Sequence, residues 1–416
     1  MPAIRSEIGG YCEAMDRTFV VVGANLCGGT VVHTLRQEGF DGRIVLVGEE
    51  PDLPYERPPL SKEYLRGEQS RDALFLQPSS WYEENRVELR LGTRAVAIDP
   101  VERVVEVSDG DRVGYDAVLL ATGGRPRKLP GEPTERVLYL RTVGDADRIR
   151  SELAGGHHLV VVGAGFIGAE VAASARTVGL EVTCLELLDV PLERALGNEM
   201  GRLYAEIHRE HGVDLRTGEG VQSIEQTDGG VVVRTTRGAS IEGDAVVVGV
   251  GIEPNVELGE SAGAKIDNGI VVDQFCRTTV EGVFAAGDVA NHWHPVFERH
   301  VRVEHFDNAI KHGSAAARNM MGRDEPYDDP HWFWSDQYDH NLQYAGFAAT
   351  WDEVVVRGST EARNFVAFYL SDGVVLAALG LNRGKDVRRA MKLIRAKARP
   401  DPMLLRDDDV DLRTIA

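Results

Sequence analysis

Cysteine is scarce in this chain: four residues in 416, at Cys12, Cys27, Cys184 and Cys276, with no CxxC and no metal-ligand spacing among them. That scarcity excludes a disulfide framework and a thiolate zinc site, and the four read as reduced intracellular thiols in or near apolar strands. Long apolar runs are also missing. The longest, such as 245–251, are strand-sized, far short of the ~20 residues that span a membrane. The opening residues lack the basic start and long apolar core of a signal peptide, so a cytoplasmic protein is expected. Residues 1–16 read as an extension, with Met1 and Met15 both open as the start. Positive charge is in deficit, with 66 acidic against 46 basic residues and a net charge of −20. Nucleic acid and anionic membrane surfaces are therefore poor main partners. The remaining composition, 43% hydrophobic and 27% charged, is that of a globular chain long enough for two or three domains.

Against these absences stand two glycine-rich turns, each following an apolar strand and each answered downstream by a carboxylate. The first, GANLCG over residues 23–28, follows 18–22 and is answered by Glu49. The second, GAGFIG over 163–168, follows 158–162 and is answered by Glu186. In such turns Gly23, Gly28, Gly163, Gly165 and Gly168 let backbone amides approach a pyrophosphate. The next helix points its positive end at the phosphates, and the distal carboxylate accepts from a ribose. Two turns imply two nucleotides, and a flavin facing a nicotinamide is the obvious pair. Glu186 is followed by Leu187 and Leu188 with no arginine, which favours NADH over NADPH. Asn25 departs from the pattern, standing where the middle glycine belongs. Asparagine tolerates positive φ and can donate a hydrogen bond, so nucleotide binding is expected to survive in weakened form. The alternative is a first domain that has lost its nucleotide, leaving a non-enzymatic flavin or NADH sensor.

The domain plan repeats. An apolar strand running into a glycine turn closes each nucleotide unit, once over 116–124 and again over 244–251. The expected architecture is α/β: two Rossmann-like dinucleotide-binding domains and a C-terminal α+β domain. A discontinuous first domain (17–130 and 252–325) carries an inserted second (131–251), and 326–416 form the third. Helices are expected over 30–36, 169–177 and 307–321, a proline-stiffened turn with a short helix over 54–64, and strands near 353–357 and 365–370.

Several stretches, PYERPPLSK (54–62), ATGGRP (121–126), YLRT (139–142), 163–170, AGDV (286–289) and FWSDQY (333–338), resemble a known family. From Arg17 onward the chain resembles the FAD-containing, NADH-dependent ferredoxin reductases of Rieske-type oxygenases and bacterial cytochromes P450, which share a glutathione-reductase-like two-dinucleotide fold. The resemblance implies FAD and NADH as cofactors and an acidic [2Fe-2S] ferredoxin docking near the flavin edge. It places Lys62 near the flavin N5, paired with Glu170, where an ammonium stabilises the anionic reduced ring. It assigns Asp288 to the ribitol and Glu49 to the adenosine ribose, with Arg57 and Arg141 at the pyrophosphate and the isoalloxazine side. Cys27, Ala95 and Phe306 would contact FAD mainly through backbone or packing, and Thr122, Gly123 and Gly251 are expected among the cofactor-binding residues. The Cys27 thiol reads as a small apolar filler. Trp334 has two readings, an aromatic on the electron path to the ferredoxin or a packing residue beside Trp332 and Phe333.

Residues 385–399 form a basic helix with Val387, Met391, Ile394 and Ala398 on its apolar side, and Lys385, Arg388, Lys392, Arg395 and Arg399 on another. That face either steers an acidic ferredoxin or pairs with the tail carboxylates Asp401, Asp407, Asp408, Asp409 and Asp411. Arg302 and Lys311 are rival docking residues. His292, His294, His300 and His305 cluster in sequence without a known ligand spacing, and no metal is expected. A disulfide or peroxide reductase needs a redox cysteine beside the flavin, and none stands between Cys27 and Cys184. An NADH oxidase or rubredoxin reductase remains a further alternative.

Overall fold

Strands made of four or five consecutive apolar residues fit only where both faces of a sheet are covered. The computed structural model, which describes residues 17–131 and 134–415, places them so. The extension expected over 1–16 lies outside the described residues. The chain divides into two units. One comprises Met1–Glu56, Leu74–Gly124 and Pro254–Phe333, the other Arg57–Ala73, Arg125–Glu253 and Trp334–Ala416.

The first unit holds a five-stranded parallel sheet in the order Val283–Ala285, Ala117–Leu120, Thr18–Val22, Arg43–Val47, Val87–Arg90. Alternation sorts the central strand. Phe19 and Val21 pack with Val31 and Leu35 of the Leu26–Gln37 helix and with Ala316 and Ala317 of the Phe306–Met320 helix. Val20 and Val22 pack with Ile98, Val105 and Val113 of a three-stranded antiparallel sheet on the other face. The first helix starts at Leu26, four residues before the expected start, so Gly28 and Gly29 fall inside it. Close packing overrides their low helix propensity: a Cβ on Gly28 would sit 1.9 Å from the Gly23 carbonyl oxygen, and one on Gly29 2.7 Å from Pro54.

The second unit repeats the plan with a parallel sheet ordered Val213–Thr217, Glu181–Glu186, His158–Val162, Ala245–Val248, Val137–Tyr139. Leu159 and Val161 face Val171 and Ala175 of the Phe166–Thr177 helix, while Val160 and Val162 face Val231, Val233 and Ile241 of an antiparallel sheet. Leu65 joins the helix-side core, so Arg57–Ala73 belongs to this unit. The expected short helix after the prolines is a 3-10 turn, Pro58–Ser61. The C-terminal part is a five-stranded sheet ordered Trp332–Gln337, His340–Gly346, Val374–Leu381, Asn364–Ser371, Glu353–Ser359. Against it lies the helix Gly384–Arg395, which buries Val387, Ala390, Leu393 and Ile394. The helix stops before the expected Arg399, because Lys397 takes a left-handed φ of 48°. Met391 is only half-buried, and Lys385, Arg388, Lys392 and Arg395 are exposed. Of the tail carboxylates, Asp408 pairs with Arg383 and Arg357, and Asp411 with Arg413.

The tail is held by a buried side chain. Arg357 donates to the carbonyls of Asp407 (2.6 Å), Asp408 (3.0 Å) and Val410 (2.7 Å). No shorter cation reproduces that fork. Arg357→Ala is therefore expected to free the tail, seen as faster tryptic cleavage after Arg406 and Arg413, with Arg357→Lys failing to restore protection. Cleavage at the wild-type rate would show that Leu405 and Leu412 suffice.

Candidate active site

Both glycine turns sit at the carboxyl end of the central strand of their sheet, where the strand order reverses, the usual place for a ligand in an open α/β sheet. In the first, Gly23 takes a φ of 119°, and a Cβ there would meet the Ala121 carbonyl oxygen at 2.2 Å. In the second, Gly163 takes 92°, with the Gly249 oxygen at 2.5 Å, and a Cβ on Gly168 would lie 1.9 Å from the Gly163 oxygen. Only glycine fits these positions.

Asn25 behaves otherwise than its residue type implied. It sits at φ −120° and ψ −169°, ordinary extended backbone, and caps the helix. Its Oδ1 accepts from the amides of Cys27 (3.0 Å) and Gly28 (3.3 Å), and its Nδ2 donates to the Ala121 carbonyl (2.6 Å). The matching Gly165 is also extended and also an N-cap, and a Cβ built on it meets nothing nearer than 3.9 Å. The protein's own backbone therefore demands no glycine at the middle position of the turn, and asparagine there is a helix cap.

Cys27 follows it, fully buried. A Cβ on Gly287 or on Gly313 would lie 3.2 Å from the Cys27 sulfur, so the thiol is wedged between two glycines. Burial, with the Asp288 charge second, pushes its pKa far up, which leaves an inert filler. Asp288 is half-buried on the 3-10 turn Gly287–Val289, whose Gly287 at φ 74° turns the chain sharply. Thr122 and Asn255 lock to one another, Oγ1 to the Asn255 carbonyl at 2.7 Å and Nδ2 to the Thr122 carbonyl at 2.8 Å, while Gly123 takes a φ of 63°. Ala95 is buried at the head of its strand, Phe306 opens its helix half-buried, and Glu49 is 73% exposed, its ionic neighbour Arg94 4.0 Å away. Amides at a helix N-terminus, a carboxylate beyond the second strand and Asp288 on its turn form a donor and acceptor set that fits a dinucleotide. Arg302 and Lys311 are committed within the unit: Arg302 is bound to Glu304 and to the Asp288 carbonyl, and Lys311 to Asp307 and Asp329.

In the second unit Glu186 is buried and braces its own turn. One oxygen accepts from the Ala164 amide at 2.6 Å, the other from the Leu188 amide at 2.8 Å. Gly251 takes a φ of 100°. Arg57 donates to the Arg141 carbonyl, and the Arg141 amide donates to Asp145 at 3.1 Å. The helix begins at Phe166 rather than Ala169, so Glu170 lies in its second turn.

Lys62 and Glu170 are both buried, 2.7 Å apart. Glu170 also accepts from the Ser61 hydroxyl (2.5 Å) and, on its other oxygen, from the Ser335 hydroxyl (2.6 Å), while Lys62 donates to the Pro58 carbonyl at 3.1 Å. Gln337 donates to Ser335 at 3.0 Å, and its carbonyl oxygen lies 2.9 Å from His208 Nε2; Nδ1 of that ring lies 3.1 Å from the Tyr338 hydroxyl. Sequence reading missed Ser61, Ser335, Gln337 and His208. A signal existed: Phe333, Ser335 and Gln337 alternate as the buried face of one strand, so two polar side chains point inward and need partners. Trp332 and Trp334 occupy the other face, half-buried, opposite to that of Phe333.

Burial depresses His208 to about 4, against the opposing pull of its Gln337 hydrogen bond. The unfolded chain takes up that proton near 6.5, so between 6.5 and 4 the unfolded state binds more protons. The stabilisation is complete above pH 6.5 and is lost on acidification towards 4, on the order of 3 kcal/mol at the lower end. His208→Gln is expected to flatten that part of the profile of thermal midpoint against pH. Parallel profiles would assign the acid sensitivity to other groups.

Residues 17–313 match the family described as pyridine nucleotide-disulphide oxidoreductase, and 332–416 match the reductase C-terminal domain. The chain is 41% identical to the ferredoxin–NAD(+) reductase component of the anthranilate 1,2-dioxygenase system of Burkholderia cepacia, over 95% of this chain and 98% of that one. It is also 41% identical to rhodocoxin reductase of Rhodococcus erythropolis, over 95% and 93%. The reductase in the crystal structure of the covalent putidaredoxin reductase–putidaredoxin complex superposes with a TM-score of 0.91 at 37% identity, over 95% and 97%. With two glycine turns on parallel sheets, a buried lysine–glutamate pair and this likeness over nearly its whole length, the chain belongs to the ferredoxin–NAD(+) reductases of the pyridine nucleotide-disulphide oxidoreductase family.

Proposed function

We propose that this protein is an FAD-dependent NADH:ferredoxin oxidoreductase that supplies single electrons to an acidic [2Fe-2S] ferredoxin of an oxygenase system, Rieske-type or P450. The observation that carries the reading is the buried Lys62–Glu170 pair, in a chain that has no cysteine where a disulfide or peroxide reductase needs one. When bound, FAD supplies the conversion of a two-electron hydride into single electrons.

The residues act around it. The first glycine turn, Glu49, Thr122, Gly123 and Asp288 hold the flavin nucleotide, with Ala95, Phe306 and Cys27 as packing. The second turn, Glu186 and Gly251 hold NADH. A carboxylate at Glu186 repels a 2′-phosphate, and its grip on the Ala164 and Leu188 amides keeps it in place. Lys62 offers a fixed positive charge to the ring that gains electrons. Glu170, anchored by Ser61 and Ser335, keeps that ammonium aimed in a site from which water is excluded. Arg57 and Arg141 shape the cofactor's surroundings, and Trp334 lies on the route outward to the ferredoxin.

The test is anaerobic titration of the purified protein. A flavin spectrum is expected, bleached by NADH at far lower concentration than by NADPH; a colourless protein, or one that NADH cannot reduce, would overturn the reading. Lys62→Met is expected to retain FAD yet slow its reduction by NADH roughly 10²- to 10³-fold in stopped flow. Ser335→Ala, which strips one hydroxyl from Glu170, should slow it about 10-fold or less. A wild-type reduction rate in Lys62→Met would remove the lysine from the chemistry.

A further inference from the structure

We infer that His292, His294 and His331 form a buried site for one divalent transition-metal ion of the zinc type. Each residue offers a ring nitrogen, and these atoms lie within 4.8 Å of one another. The three side chains are 1%, 0% and 3% exposed. His292 and His294 alternate on the strand Ala290–His294 and so share a face, and His331 comes up beside them just before the strand Trp332–Gln337. The ring centroids of His331 lie 5.3 Å from His292 and 4.9 Å from His294. Sequence spacing gave no hint, because the third ligand arrives from beyond a whole helix.

The second observation is what the rings lack. Among the described residues, neither nitrogen of His292 nor either nitrogen of His331 has a hydrogen-bond partner, although both side chains are almost wholly buried. A neutral imidazole carries one donor and one acceptor, and each left unmet in the interior costs about 1–3 kcal/mol. Two such buried rings, each offering a nitrogen within 4.8 Å of the other's, call for a shared partner. His294 is prepared differently. Its Nε2 lies 3.0 Å from the Asp329 carbonyl, which can only accept, so Nε2 carries the hydrogen and Nδ1 the lone pair. A ring N–H held by a carbonyl is the usual outer support of a metal-bound histidine. The Phe297 amide also approaches that Nδ1, at a long 3.4 Å, and an ion would take its place.

Charge and ligand type agree. Three imidazoles suit zinc, copper or nickel rather than magnesium or calcium. Lys311, beside His331, is paired with both Asp307 and Asp329, so two carboxylates against one ammonium offset part of a dication's charge. Tetrahedral zinc, with nitrogens at ~2.05 Å, needs them about 3.3 Å apart, so the rings close in by at most about 1.5 Å on binding. His312 ties the cluster to the flavin side of the unit. Its ring is 4.7 Å from His292, and its Nδ1 accepts from the Gly287 amide, at the turn that carries Asp288. The ion would therefore stiffen that turn, a role resting on the flavin reading, whereas the site itself does not.

The test uses the purified flavin-loaded protein. Metal content is measured by mass spectrometry after dialysis against a chelator and again after adding Zn²⁺ or Co²⁺ and removing the excess. About one ion per chain is expected, with Co²⁺ giving visible ligand-field bands at wavelengths beyond the flavin absorption, and a higher thermal midpoint in the loaded form. The double variant His292→Ala/His331→Ala should lose the ion, while the exposed-site control His300→Ala keeps it; circular dichroism monitors the fold of each. Wild-type protein that takes up neither ion stoichiometrically would overturn the proposal and assign the rings to buried water. So would a folded double variant that binds as the wild type does. Since the wild-type measurement needs no variant and no NADH, its failure is distinct from failure of the reductase reading.

Discussion

A lysine and a glutamate buried together persist only if the two charges meet and the remaining lone pairs and protons are satisfied. In the second unit that condition governs much of the architecture. Lys62 and Ser61 come from the segment after the prolines, Glu170 from the helix behind the glycine turn, and Ser335 and Gln337 from the C-terminal sheet. Three stretches distant in sequence are thus joined through one carboxylate. Breaking such a pair typically costs about 3–5 kcal/mol, far more than the 0–1 kcal/mol of an exposed ion pair. The many surface pairs, such as Arg43 with Glu88, therefore carry little of the specificity that this one supplies.

The two nucleotide units show how one backbone plan accommodates different caps. Their sheets share the order of four strands and differ in the fifth, which comes last in the first unit (Val283–Ala285) and first in the second (Val137–Tyr139); their outer glycines are excluded from bearing side chains by carbonyl oxygens within about 2.5 Å. At the middle position the constraint is absent, and one unit uses a glycine while the other uses an asparagine that binds two amides and a carbonyl. The carboxylates differ as well. Glu49 stands in solvent, whereas Glu186 is buried and holds two amides of its own unit. A buried carboxylate gripped by the backbone discriminates rigidly, because it cannot swing away from an unwelcome phosphate.

The local elements were legible from the chain alone. Apolar strands, glycine turns and their distal carboxylates are local patterns, because sheet burial and positive φ act on consecutive residues. The family resemblance, rather than any local pattern, marked Lys62, Glu170, Asp288 and Cys27 for attention. The errors were local too. The first helix started early because tertiary packing outweighed glycine's propensity, and the basic helix ended early at a left-handed Lys397.

What only the tertiary structure decided is which distant side chains share a burial environment. Ser335 and Gln337 gain meaning from Glu170, and His331 from His292 and His294, through strand and loop placements that no spacing encodes. Asn25 shows the same limit at short range. Its type allowed several conformations, and the nearby Ala121 carbonyl and the two helix amides selected one. Sequence by itself determined the repeated nucleotide-binding units, since backbone sterics and hydrophobic alternation are written locally. The fold determined the polar networks, since a buried hydrogen bond depends on whichever partner the rest of the chain brings within about 3 Å.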